Sequence, residues 1–214
     1  MPNPIRVDIV SDVVCPWCAI GYYQLKRAAD ETGHALSVHW HPFELNPNMA
    51  EEGEDLREHL AAKYGTTPEA SRAARARLTE LGAALGFTFT YADDMRMWNT
   101  FRAHQLIDWA ETFEKGHDMK LALFEAFFTR RENVSDIATL AQVAKSVELD
   151  AETALEVLQS GQFAEQVRQK EQFWTSRGIQ GVPAMIFERR HLVTGAQGEE
   201  NYGRVLAHVS AEAA

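Results

Sequence analysis

The chain has 214 residues, 45% hydrophobic and 24% charged, which suits one large domain or two small ones around a substantial core. Its net charge of −10 excludes the clustered positive charge that a nucleic-acid backbone demands, and no stretch approaches the roughly 18 unbroken apolar residues of a membrane helix. The opening Met1-Pro2-Asn3-Pro4 lacks a basic segment followed by an apolar run of about 7–15 residues, so, with Met1 as the natural start, a cytoplasmic location is expected.

Residues 5–11 carry the apolar alternation of a strand (Ile5, Val7, Ile9), and residues 16–32 read as a helix that stops near Gly33. Between them lies Cys15-Pro16-Trp17-Cys18, which holds both cysteines of the chain. At helical pitch a three-residue spacing returns two side chains to one face, within the span a disulfide tolerates. A helix starting here aims its unpaired backbone N–H groups at the first sulfur. Those donors and the helix dipole favour thiolate over thiol, so Cys15 is expected to be the exposed nucleophile and Cys18 the thiol that resolves a mixed disulfide. In a reducing compartment such a pair is redox-active rather than a permanent cross-link. The chemistry read from these residues is thiol–disulfide exchange.

Zinc is the rival reading of any close cysteine pair. His39 and His41 share a strand face and would complete a Cys2His2 set, but His-x-His is not the finger spacing and no second cysteine pair exists. No metal ligands are therefore assigned, and the exchange chemistry needs no metal or organic cofactor.

Residues 36–43 form a second strand, closed by the Asn46-Pro47-Asn48 turn. From about Asp55 to residue 160 the pattern is helical. Trp98, Phe101, Leu106, Trp109, Ala110 and Phe113 make one apolar face, and Ile137, Leu140, Ala141, Ala144 and Val147 make another. Leu121, Leu123, Phe124, Phe127 and Phe128 lie almost all around their helix, which predicts deep burial. These aromatics read as core, while Met95, Met97 and Trp98 offer a second reading as an apolar substrate groove. A helix over about 162–177 ends at Gly178, and Gly181-Val182-Pro183 leads into a hairpin of Ala184–Phe187 and Leu192–Thr194. A last helix covers about 199–211. The order is β-α-β, an all-helical insert, then α-β-β-α.

A strand, a Cys-x-x-Cys pair and a helix resemble the redox signature of thioredoxin-like proteins. With a helical insert of this size the chain resembles the DsbA-like branch, and more closely the FrnE-type disulfide oxidoreductases, relatives of 2-hydroxychromene-2-carboxylate isomerases and kappa-class glutathione transferases. The likeness rests on Asp12 with Cys15-Pro16-Trp17-Cys18 and Gly21, on Pro42-Phe43-Glu44-Leu45-Asn46-Pro47, on Asn99-Thr100 with Ala103-His104, on Gly181-Val182-Pro183, and on Val193-Thr194-Gly195-Ala196-Gln197. It implies an α/β thioredoxin fold whose large all-helical insertion occupies residues 49–161, between thioredoxin-like parts at 1–48 and 162–214.

The resemblance also makes Pro183 a cis-proline facing the cysteines, with the Val182 backbone free to pair with an extended substrate chain. The substrate site then comprises Pro16, Trp17, Val182 and Pro183, with Trp17 either shaping the lip or simply packing. The isomerase and transferase relatives generally place Ser where Cys15 stands, so two retained thiols favour redox exchange. Glutathione-dependent isomerase or transferase chemistry and a non-catalytic peptide-binding module are the alternatives. Protein or small-molecule thiols and disulfides are the implied partners, with glutathione as a redox partner, homodimers common among relatives, and neither nucleic acid nor membrane. Asp12 reads either as a proton shuttle for Cys18 or as a turn residue. Asn99 is expected to satisfy a neighbouring backbone group, His104 to face water, and Glu44 to be a surface or packing-edge carboxylate.

Overall fold

The computed structural model describes residues 3–212. In chain order the elements are β1 (Ile5–Ser11), α1 (Pro16–Thr32), β2 (Leu36–Pro42), β3 (Glu54–Asp55), α2 (Leu56–Tyr64), α3 (Pro68–Leu85), β4 (Arg96–Met97), α4 (Phe101–Glu111), α5 (Gly116–Phe124), a π-helical turn (Glu125–Thr129), α6 (Ile137–Ser146), α7 (Ala151–Ser160), α8 (Ala164–Thr175), β5 (Ala184–Phe187), β6 (His191–Thr194) and α9 (Glu199–Glu212). The chain divides into two compact units. One is made of the residues up to Leu45 and from Gln169 onward, the other of Asn46–Arg168.

The first unit is built on a four-stranded sheet in the order β2-β1-β5-β6. β1 and β2 run parallel with Ile5 opposite Leu36, while β5 and β6 pair antiparallel, Val10 standing opposite Ala184 and Ala184 opposite Thr194. Parallel neighbours need a crossover, and α1 supplies it. α1 packs beside α9, and Val7, Ile9, Ile20, Leu25, Phe187, Tyr202 and Leu206 are withdrawn from water beneath them. A second small core gathers Val10, Ile179 and Ala184 with Phe43, Trp174, Val182 and Ile186. α1 starts on Pro16, whose missing N–H costs nothing in the first turn, and stops on Gly33 at φ 70°, a left-handed conformation that glycine adopts without penalty.

The second unit is mainly helical. Side-chain oxygens of Asp55, Thr67, Asp136 and Asp150 accept from backbone N–H groups in the first turns of α2, α3, α6 and α7. Its core holds Leu106, Met119, Leu123, Phe124, Phe127, Phe128 and Leu140. The expected all-helical insert is corrected in one respect: β3 and β4 form a two-stranded ribbon, Glu54 opposite Met97. Two residues per strand are too few for a period-2 pattern to register. The π turn is a second departure. Its extra residue per turn brings Phe127 and Phe128 both inward, ring centroids 4.8 Å apart. Phe113, expected on the buried face of its helix, lies beyond the end of α4 and is 54% exposed. Among the described residues no helix is long and apolar enough to cross a membrane.

Candidate active site

β1 delivers the chain to the cysteines, and β5 delivers the proline loop to the same end of the sheet. Because Val10 is paired with Ala184 in antiparallel sense, the residues before Ala184 run alongside those after Val10. That register brings Cys15 and Val182 together: Cys15 Sγ donates to the Val182 carbonyl at 3.8 Å. The Val182–Pro183 peptide is cis. The Pro183 carbonyl in turn accepts from Gly195 N at 2.8 Å, which anchors the loop to the end of β6.

Gly21 lies one turn beyond the second cysteine, where α1 passes closest to this loop. A Cβ at Gly21 would stand 3.2 Å from Met185 Cε, 3.3 Å from Pro183 Cγ and 3.4 Å from the Tyr202 hydroxyl. The absence of a side chain there lets helix, proline and tyrosine close on one another. Tyr202 is fully buried, donates to the Gly195 carbonyl at 3.0 Å, and burial pushes its hydroxyl up to about 12. Sequence reading gave Tyr202 no role. It lies on the apolar face of α9 like its neighbours, and only the packing of α9 against α1 brings it beside Pro183.

No disulfide joins the two cysteines. Cys15 occupies the N-cap of α1, and Cys18 stands one turn further in. The structure corrects the expected exposed thiolate. Cys15 is 4% exposed and Cys18 not at all, so water reaches only the first, and barely. One N–H of the helix start does serve the Cys15 sulfur, a backbone hydrogen bond from Cys18 that works toward the thiolate but is outweighed. Pro16 has no N–H to offer, and the N–H groups of Cys18 and Ala19 also turn to the Cys15 carbonyl, at 3.1 and 3.5 Å. The hydrogen bond with Cys18, then burial, then the charge of Cys18 push the Cys15 thiol well above its ordinary value. Two sulfurs sharing one proton titrate as a pair: the bond that makes one thiol hold its proton stabilises the thiolate of the other.

Asp12 is fully buried beneath this pair and accepts from Leu45 N at 2.8 Å, and its charge adds to the rise at Cys15. Trp17 projects outward, 43% exposed, and Pro16 is half-buried beside it. Val182 is half-buried and Pro183 buried. The structure thus brings Cys15, Cys18 and Val182 together and leaves Trp17 at the surface. His41 and His39 are engaged on the sheet, His41 Nε2 on Asp8 Oδ1 at 2.8 Å and His39 Nε2 with Ser37 Oγ at 3.0 Å and Arg6 at 2.9 Å.

Two landmarks lie elsewhere than expected. Glu44 is buried rather than at a surface edge. His104 is buried inside α4 of the second unit rather than facing water. Asn99, just before α4, satisfies backbone as expected: Nδ2 donates to the Met49 carbonyl and Oδ1 accepts from Phe101 N, both at 2.9 Å. Of the residues offered as a groove, Met95 and Met97 are buried packing residues, Met97 in β4, and Trp98 is half-buried.

Known proteins place this arrangement. A probable DsbA oxidoreductase from Streptomyces coelicolor superposes with a TM-score of 0.89 at 28% identity, over 95% of this chain and 89% of that one. The cytosolic disulfide reductase DsbM from Pseudomonas aeruginosa, solved with GSH, shares the fold at a TM-score of 0.65 and 16% identity, over 95% and 98% of the two chains. A 2-hydroxychromene-2-carboxylate isomerase shares it at a TM-score of 0.66 and 15% identity, over 97% and 94%. The model of the DSBA-like thioredoxin domain matches residues 6–207. The chain therefore belongs to the DSBA-like thioredoxin family, with a helical insertion in its thioredoxin fold.

Proposed function

We propose that this protein is a thiol–disulfide oxidoreductase in which Cys15 is the nucleophile and Cys18 the resolving thiol. The observation that carries the reading is the placement of Cys15: bonded to Cys18, at the start of α1, with its sulfur on the Val182 carbonyl. Of the two cysteines it is the one that keeps any exposed surface, 4% against none, so an incoming disulfide meets it first.

The exchange balances without a cofactor. The Cys15 thiolate attacks one sulfur of a substrate disulfide, forming a mixed disulfide and expelling the other sulfur as a thiolate that takes up a proton. Cys18, deprotonated, then attacks Cys15 Sγ and releases the second substrate thiol. The substrate gains two electrons, and the pair closes as a Cys15–Cys18 disulfide. A thiol such as glutathione reopens it, becoming oxidised in turn. Run backwards, the same steps donate a disulfide. Val182 presents its backbone to the substrate chain in the manner of strand addition, with Pro183 behind it and Pro16 and Trp17 forming the outer lip. The likeness to a cytosolic disulfide reductase supports a cytoplasmic location and glutathione as reductant.

The test is reduction of a peptide disulfide with glutathione as electron donor. Wild-type protein should accelerate it, and Cys15→Ser should run at the uncatalysed rate. Glutathione-dependent isomerisation of a chromene-type acid that survives loss of both thiols would replace this reading with the isomerase one. Undiminished peptide binding by a thiol-free variant of an inactive parent would replace it with a binding module.

A further inference from the structure

We propose a zinc site at the far end of the β5–β6 hairpin, formed by His191, His208 and Glu212. His191 is the first residue of β6, and His208 and Glu212 stand one turn apart on α9. Their ligand atoms all lie within 4.8 Å of one another. His191 Nε2 is 2.9 Å from Glu212 Oε2, and His208 Nε2 is 3.3 Å from Oε1 of the same carboxylate. The imidazoles meet edge to face, ring centroids 5.3 Å apart.

An ordinary ion pair would need one of these rings. Here two imidazoles from separate elements turn the same nitrogen toward the two oxygens of one carboxylate. Two protonated rings so close would repel, whereas two neutral ones offer lone pairs to a shared cation. In a tetrahedral zinc site with bonds of about 2.0–2.2 Å, donor atoms stand about 3.4 Å apart, a short closing from the 4.8 Å within which these three already lie. Two imidazoles and a carboxylate are a borderline donor set that suits Zn2+ rather than Ca2+ or Mg2+. Arg190 reaches Glu212 Oε2 at 3.3 Å and is the local cation that zinc would displace.

The site opens to solvent, with side-chain exposures of 31% for His191, 63% for His208 and 34% for Glu212, which leaves a fourth position for water. Phe187 pairs with His191 at this end of the hairpin, while Ala184, next to Pro183, pairs with Thr194 at the other. The ion would therefore clamp the last turn of α9 to the hairpin, apart from the thiols.

Thiols bind zinc themselves, so the test uses tag-free Cys15→Ser/Cys18→Ser protein, titrated with Zn2+ by calorimetry and with Co2+ by visible absorption. The expected result is one ion per chain with the Co2+ spectrum of a four-coordinate site. Affinity should fall at least about tenfold in His191→Ala and again in His208→Ala, both surface changes that leave the circular dichroism unaltered. Zinc uptake that is unchanged in both variants, or that occurs only when the cysteines are present, would overturn the site.

Discussion

Cys15 differs from a free cysteine in two ways: it bonds Cys18 and it is nearly buried. Each change favours the protonated form and the Asp12 charge adds to them, while a backbone hydrogen bond from Cys18 opposes them without prevailing. The sign has a direct consequence. Because its pKa is raised, Cys15 holds its proton at neutral pH, and the rate of its attack should climb as the pH is raised toward that pKa. Cys18→Ser removes the largest cause and should bring the Cys15 pKa down. Ultraviolet thiolate absorbance followed against pH reads this directly, with wild type and Cys15→Ser as references. An unmoved titration would mean that burial alone sets the value.

At the scale of elements, β1 carries a buried charge in the middle of its strand. Asp8 is 3% exposed, with Arg6 reaching it at 2.6 and 2.9 Å and His41 at 2.8 Å. Burial alone would raise its pKa, but the hydrogen bonds of His41 and Arg6, with their charges, hold it well below the usual carboxylate range. A depressed folded-state pKa contributes stability above the unfolded value, near 3.9, that is lost as the pH falls below it. Asp8→Asn should lower stability at pH 7 by about 2 kcal/mol, by analogy with charged hydrogen bonds elsewhere, and flatten the acid limb of a melting-temperature profile between about pH 2 and 5. An unchanged profile would mean that the ion pairs make no net contribution.

The elements of the first unit were legible because their signals are local. The alternation of Ile5, Val7 and Ile9, the stop at Gly33 and the turn before His191 all act within a few residues. What the sequence concealed depends on distant partners. The carbonyl facing Cys15 is 167 residues away, so helix-start reasoning alone predicted a thiolate where the fold builds a shielded thiol. The burial of Glu44 and His104 likewise depends on packing, which a hydrophilic residue does not announce.

For the whole molecule, the fold is shared with a probable oxidoreductase and with an isomerase, so fold alone does not choose the reaction. The choice rests on two buried cysteines of unequal exposure, Cys15 at 4% and Cys18 at none. Covalent trapping tests that inequality most directly. Cys18→Ser protein, incubated with a disulfide-containing peptide and examined by mass spectrometry without reductant, should accumulate a stable mixed disulfide on Cys15, while Cys15→Ser should accumulate none. Equal trapping by both variants, or adducts found only on Cys18, would contradict the assignment of Cys15 as the attacking sulfur.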